Sequence, residues 1–401
     1  MPTPAAAADS FDRAALALRL AQATLTLIDI PSPSWEEAAA LEHCAARLDA
    51  AGVPYRWADG RDALLAGHLA GEGAAGRPLL TLAGHLDTVP AQGNLPGRID
   101  GGRVHGLGAT DMKGACAVIV ELLAELWPSR DEHACAIGGV LFAREELPFG
   151  DSALTPILAS ERTLAPDAPE LAGGLRATDT ALAVVMEPTA GVVQAGCLGN
   201  INVTVRLHGR SAHSARPWQG DNALDKLGIA LTRLAAIEPV HHTFAGLEYA
   251  ECVTATGVRG GVARNVVPGA AELDVNYRYP PGITPARAEA TLERHLHGLG
   301  DARIIGHAPS GAVTLGHPLA LRLLELSGHE PQPKQAWTPV AEFTAAGIDA
   351  VNFGPGDPPL AHQVEESVAI DALVQSYTAL RHLVQTGAAG VPAGGIQEAR
   401  A

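Results

Sequence analysis

Acidic and imidazole side chains recur in this sequence at the ends of apolar runs. His85 and Asp87 follow "TLAG", Glu145 and Glu146 follow "GGVLFAR", and Glu187 follows "ALAVVM". His362 lies just beyond "AVNFGPGDPPLA", and Asp111 stands after the turn "GLGAT". Adjacent carboxylates such as Glu145 and Glu146 repel each other unless a cation or a proton intervenes, and on an extended strand they point to opposite faces. Each residue alone has an ordinary explanation. A histidine after a strand is commonly structural, an aspartate caps a helix, and a glutamate before Pro188 fills a turn. As a set they offer two imidazoles and several carboxylates. Mixed nitrogen and oxygen donors of this kind suit zinc, or else cobalt or manganese. Five anionic side chains in one cleft would otherwise be costly. One zinc takes only three or four ligands, so five such ligands drawn from these seven residues are better used by two ions about 3.5–4 Å apart that share a carboxylate.

For these residues to meet, apolar strands must end side by side. In an open α/β sheet, ligands collect outside the carboxyl ends of the strands. "RPLLTLAGHLDTV", "ACAIGGVLFAREE", "TALAVVMEPT" and "DAVNFGPGD" read as such strands, and "ALLAGHLAG" as a shorter one. Helical periodicity covers 13–29, "GACAVIVELLAELWP", "PLALRLLELSG" and "SVAIDALVQSYTALRHLVQ". Ser34 and Glu37 have the Ser-x-x-Glu spacing of a capping box, opening a helix through "AAALEHCAARLDAAG". Alternation of apolar strands and helices predicts a mostly parallel central sheet covered on both faces. The pattern changes near Cys197. Residues 197–306 read strand-helix-strand-strand-helix-strand, a split βαβ unit. The expected organisation is a first domain over 1–196, an inserted α+β ferredoxin-like domain over 197–306, the first domain resuming over 307–386, and a disordered tail over 387–401.

With 401 residues the chain exceeds one ordinary core. Its 28 basic residues against 44 acidic ones leave a net charge of -16, which disfavours nucleic acid and anionic membranes as partners. The five cysteines have no CxxC spacing and suit buried thiols in a reducing compartment. "MPTPAAAADS" has neither a basic start nor a long apolar core, and a cytoplasmic protein is expected. "GLGATDMKG" lacks GxGxxG and GxxxxGK[ST], so a nucleotide site has little support.

"GHLDTVP" (84–90), "GLGATDMKG" (106–114), "REE" (144–146), "MEPT" (186–189) and "FGPGDPPLAHQVEE" (353–366) together resemble the M20 family of dinuclear zinc hydrolases, over nearly the whole chain. The resemblance implies a zinc-peptidase-like fold with an inserted lid and dimerisation domain. It implies that His85 and Glu187 hold one metal, Glu146 and His362 the other, and that Asp111 bridges both. Asp87 would orient the imidazole of His85, and Glu145 would be the general base. His213 in "SAHSARP" matches an oxyanion donor which, with Asn265 in "ARNVVPG", would serve the opposite site of a homodimer. Arg278 in "DVNYRYP" matches a carboxylate-binding arginine, and Arg216 is a second candidate.

Within the family, "GRSAHSARPW", "ARNVVPG" and "NFGPGDP" resemble desuccinylases of the actinobacterial kind. That likeness implies a small acidic N-acyl amino acid as substrate, namely N-succinyl-L,L-2,6-diaminopimelate. Acetylornithine or acetylcitrulline deacetylases and carboxypeptidases of the family need the same metal core. A metal-binding structural homologue without activity is the non-enzyme alternative, and the presence of Glu145 speaks against it. Two departures stand in "AWTPVAEF". Pro339 replaces an aspartate, and Glu342 stands where the similar desuccinylases carry arginine. An acidic side chain facing the cleft there would oppose an acidic acyl group.

Overall fold

The computed structural model describes residues 12–70, 74, 76–163 and 177–389. Two sheets dominate it. The larger has eight strands in the order Tyr55–Trp57, Ala63–Gly67, Ala136–Phe142, Leu79–His85, Leu182–Val185, Ala350–Asn352, Gln194–Ala195 and Gln332–Pro333. Its four central strands are mutually parallel. The strands ending at His85 and Phe142 are buried at all seven positions, as unbroken apolar runs in a two-sided sheet require. Helices Arg13–Ile28, Ala38–Ala50, Gly114–Leu126, Pro318–Ser327 and Ile370–Thr386 fill one core. Helices Leu154–Thr163 and Val340–Ala345 contribute to a second core. A Cβ on Gly139 would come within 2.8 Å of Leu123, so the strand needs glycine where the helix packs closest.

The central strands end in register. His85 pairs with Phe142, Ala83 with Val185, and Val185 with Asn352. The chemistry-bearing residues that follow these strands therefore emerge at one edge of the sheet.

The second sheet has five antiparallel strands in the order Val240–Phe244, Leu247–Gly260, Ala270–Tyr279, Gly199–His208 and Asp301–Ala308. Helices Ala223–Ala235 and Pro285–Leu296 pack on it through Leu227, Ala230, Leu234, Ala288, Leu292 and Leu296. The expected elements are present, with one addition. Val240–Phe244 forms a hairpin with Leu247–Glu251. Its sequence, "VHHTF", offers only Phe244 to the core while Val240 stays exposed, too weak a pattern for periodicity to reveal.

Two local expectations are corrected. The Ser34–Glu37 capping box does not form. The helix starts at Ala38 with no side-chain cap. The Ser34 hydroxyl instead donates to Asp87 (2.9 Å), and Glu37 turns back to the amide of Trp35 (2.8 Å). The last helix begins at Ile370, not Ser367, because Ser367–Ala369 first pairs with Arg103–His105. The small-residue tail lies, from residue 390 on, outside the described residues.

Glu342 sits 4% exposed on the helix Val340–Ala345. Its Oε1 accepts from Ser152 Oγ (2.7 Å) and Thr155 Oγ1 (2.5 Å), while its Oε2 is buried with no partner. This carboxyl is turned into the protein, onto the segment that follows Glu146. Burial raises its pKa to about 7, so the folded state favours the neutral acid. The stabilising contribution is complete at acid pH and is lost as pH rises through 7. Its ceiling is about 3 kcal/mol, at 1.36 kcal/mol per pKa unit above 4.5. Glu342→Gln keeps the acceptor and removes the titration. In thermal melts at pH 5 and pH 8, wild type is expected to lose several degrees relative to the variant at the higher pH. Parallel behaviour of the two proteins would contradict the buried neutral acid.

Candidate metal centre

Asp111 sits in a turn opened by Gly108 at φ +80°, and its own backbone is not helical (φ -126°, ψ 92°). Its two carboxylate oxygens face different histidines. Oδ1 lies 3.2 Å from His85 Nε2, and Oδ2 lies 3.4 Å from His362 Nε2. His362 Nε2 is also 3.0 Å from Glu146 Oε1. His85 Nε2 is 3.8 Å from Glu187 Oε1 and 4.0 Å from Glu145 Oε2. The ligand atoms thus form two groups, His85–Asp111–Glu187 and Asp111–Glu146–His362, each spanning less than 4.8 Å. Asp111 belongs to both. His85 and Glu187 of the first group are buried, whereas His362 is about half exposed.

Backbone hydrogen bonds to two buried carboxylates hold this arrangement. Asp87, 0% exposed, accepts from the amides of Glu145 and Glu146, both at 3.0 Å, as well as from Ser34. Its side chain therefore fixes the corner that carries the two glutamates. The imidazole of His85 bonds through Nδ1 to the backbone carbonyl of Asp87 (3.0 Å), and the carboxylate is farther away, at 3.4 Å. Orientation of His85 thus falls mainly to the carbonyl. Glu366, 2% exposed, accepts from the amides of Gly108, Thr110 and Asp111 at 2.9, 2.9 and 3.0 Å. It anchors the turn that presents Asp111.

Adjacent glutamates diverge because the chain turns at Arg144. The strand ends at Phe142, and Arg144 has φ +63°, a conformation costly for a residue with a Cβ. Three contacts offset that cost. The Arg144 guanidinium pairs with Asp62, Nε donates to the Asp151 carbonyl (2.8 Å), and the group stacks 4.6 Å over the ring of Trp35. Beyond this turn, Glu146 meets His362 and Glu145 faces His85.

The electrostatics favour a cation. Burial, then the charge of Glu187, hold the Glu145 carboxyl well above the usual range. Burial, then Asp111, push Glu187 up to about 7, with His85 and then Lys334 opposing. Asp111 is lowered: burial works against this, but its bonds to His362 and His85 prevail. Those same bonds, to Asp111 and then Glu146, raise His362 to about 10. Against burial, Asp111 and Asp87 raise His85. Glu187 Oε1 is buried without a hydrogen-bond partner, and its nearest imidazole nitrogen is too distant for a bond. Such an oxygen is costly unless a cation reaches it. The donor set, imidazole nitrogen and carboxylate oxygen, fits a divalent transition metal.

Ser34, Arg144, Glu366 and Lys334 are additions to the sequence-based set. Lys334 is 8% exposed and donates to the Pro188 carbonyl (3.2 Å), just after Glu187. Glu366 stood within a recognised motif, but no periodicity could identify its partners. The amide of Gly354 in the "FGPG" turn is taken by the Thr189 hydroxyl (3.0 Å), so it is not a free donor.

The remaining candidates lie on the smaller sheet and its loops. His213 and Asn265 are neighbours, since His213 pairs with Val266 and the Ser214 amide donates to the Asn265 carbonyl (2.9 Å). The Ala215 amide donates to His213 Nδ1 (3.0 Å), which leaves the outward Nε2 as the donor of the neutral ring. Arg216 is exposed on the same loop. Arg278 is half-buried and bonds to Asn276. Among the described residues, none of these four side chains bonds to the Asp111 cluster.

The profile of peptidase family M20/M25/M40 matches residues 81–386. The chain is 38% identical over 363 residues to a candidate succinyl-diaminopimelate desuccinylase of Mycobacterium tuberculosis, covering 89% of this chain and 96% of that protein. It is 34% identical over 361 residues to the succinyl-diaminopimelate desuccinylase of Corynebacterium glutamicum, covering 87% and 92%. A tripeptidase of Staphylococcus aureus shares the fold with a TM-score of 0.71 at 18% identity, over 93% of this chain and 98% of that one. The chain, a metal-dependent amide hydrolase by its sequence relationships, belongs to peptidase family M20/M25/M40.

Proposed function

We propose that this chain is a dinuclear-metal amidohydrolase that converts N-succinyl-L,L-2,6-diaminopimelate into succinate and L,L-2,6-diaminopimelate, within diaminopimelate and lysine biosynthesis in the cytoplasm. The observation that carries the metal reading is Asp111, whose two oxygens face the two histidines at 3.2 and 3.4 Å. The two desuccinylase relatives support the substrate.

His85 and Glu187 would hold one ion, Glu146 and His362 the other, and Asp111 would be shared by both. Zinc suits these donors best, and cobalt or manganese can substitute. Two such ions supply Lewis acidity, polarising the scissile carbonyl and lowering the pKa of a water towards neutrality. Glu145, whose pKa burial raises, takes a proton from the attacking water as its oxygen bonds to the carbonyl carbon. Glu145 returns that proton to the amine nitrogen as the carbon–nitrogen bond breaks. Asp87 takes no proton and keeps the Glu145–Glu146 corner in place through the two amides it binds.

His213 donates Nε2–H to the developing oxyanion, a contact worth about 2.7–4 kcal/mol in comparable sites. It does so across a homodimer joined through residues 197–306, which act as lid and dimerisation domain, with Asn265 beside it. This placement agrees with the exposure of His213 and with its lack of contact to the cluster of its own chain. Arg278 binds a substrate carboxylate, and Arg216 is a second cation at the mouth. Glu342 does not oppose an acidic acyl group, since its carboxyl is spent on Ser152 and Thr155.

Amine release by the zinc-loaded protein from N-succinyl-L,L-2,6-diaminopimelate and N-acetyl-L-ornithine, side by side, tests the substrate. A strong preference for the succinyl compound is expected. Preference for the acetyl compound would move the assignment to a deacetylase, and activity on neither would point to a peptidase. Glu145→Gln should keep its metal content and lose about 100- to 10,000-fold in kcat. Metal loss in that variant would show that Glu145 and Glu146 have been exchanged in role. Mixed dimers of His213→Ala and Glu145→Ala subunits should recover activity from two inactive proteins. No recovery in a verified mixed dimer would remove the shared-site reading.

A further inference from the structure

The strand Ala270–Tyr279 alternates cleanly. Ala271, Leu273, Val275, Tyr277 and Tyr279 are buried, while Asn276 and Arg278 share the opposite face. Directly across on the strand Gly199–His208, Asn200 faces Arg278 and Asn202 faces Asn276. Arg278 Nε donates to Asn276 Oδ1 (3.0 Å). Asn276 Nδ2 donates to Asn200 Oδ1 (2.6 Å) and Asn202 Oδ1 (2.7 Å). The direction of this chain of bonds is forced. A guanidinium only donates, so it must meet the oxygen of the Asn276 amide. The amide nitrogen then points to the other two asparagines, and each of its hydrogens finds an oxygen.

Arg278 has no carboxylate partner among the described residues. A half-buried guanidinium bonded to one neutral amide is poorly compensated. A planar carboxylate can dock on arginine side-on, through Nε and one Nη, or end-on, through both Nη groups. With Nε taken by Asn276, only the end-on fork is open.

We infer that Asn276 is a positioning residue which, braced by Asn200 and Asn202, locks the plane of Arg278 so that its two Nη groups receive a substrate carboxylate end-on. This rests on the reading of Arg278 as the carboxylate-binding arginine. Asn276 does not touch the substrate. It removes the alternative docking mode and the rotational freedom of the guanidinium, and so confers a preference for a carboxylate over its uncharged isostere.

The test uses the zinc-loaded dimer and the acyl-amino acid it turns over fastest, with analogues in which each substrate carboxylate in turn is a primary carboxamide. In wild type, the analogue that lacks the carboxylate read by Arg278 should show the largest rise in KM. Asn276→Ala should raise KM for the parent substrate about tenfold, as expected for loss of one charge-assisted bond, with kcat within about twofold. It should also narrow the gap to that analogue. In an Arg278→Ala background, Asn276→Ala should add nothing, because it acts through Arg278. Asn200→Ala should give a smaller change of the same kind and covers the case in which Asn276→Ala misfolds. Equal losses on substrate and analogue, or additivity with Arg278→Ala, would overturn the role of Asn276 and leave that of Arg278 intact. Unchanged discrimination in Arg278→Ala alone would overturn the carboxylate reading itself, and the inference with it.

Discussion

The carboxylate of Asp87 is the contact on which the rest of the site depends. It is fully buried and accepts the amides of Glu145 and Glu146 together with the Ser34 hydroxyl. Two successive amides on one carboxylate define a tight corner, and that corner sends two adjacent glutamates to different imidazoles, Glu145 to His85 and Glu146 to His362. Glu366 repeats the device on the other side of the cleft, with three amides of the Gly108–Asp111 turn on one buried carboxylate. Neither acid belongs to the two candidate ligand groups. Both use buried charge to fix irregular backbone, which is where a site of crowded acids stores its strain. Arg144, at positive φ with an ion pair, a carbonyl and an aromatic ring around it, is the visible part of that strain.

The sheet contributes register. Parallel strands ending at His85, Phe142, Val185 and Asn352 bring distant parts of the chain to one edge, and helices on both sides keep that edge rigid. Burial then does electrostatic work. It raises Glu145 and Glu187, and the acids in turn raise both imidazoles. Groups pushed in opposite directions within a few ångströms mark a place that favours added positive charge.

Much of this was legible in residue types. Apolar strands ending in His85, Glu145, Glu146 and Glu187 announced both the parallel sheet and its working edge, because burial on two faces leaves an unbroken apolar run. What stayed hidden were the partners of polar side chains. Ser34 has the spacing of a helix cap, yet its hydroxyl goes to Asp87, 53 positions away in the chain. Glu366 finds its amides more than 250 positions back. Glu342 would oppose an acidic acyl group only if it faced the cleft, and it is turned inward. The strand Val240–Phe244 was missed because an exposed edge strand need not alternate. Local pattern reports which face is buried, and it is silent about which tertiary donor a carboxylate will find.

The carboxylate of Asp111 belongs to two groups of candidate cation ligands that differ in burial. Counting bound metal by mass spectrometry, in wild type and in His362→Ala after zinc loading and removal of loose ions, shows whether each group holds its own ion. His362 is half exposed and belongs to only one group, so its loss should spare the buried position. Two zinc ions per chain are expected in wild type and one in the variant. A single ion in wild type, or the loss of both in the variant, would contradict that expectation.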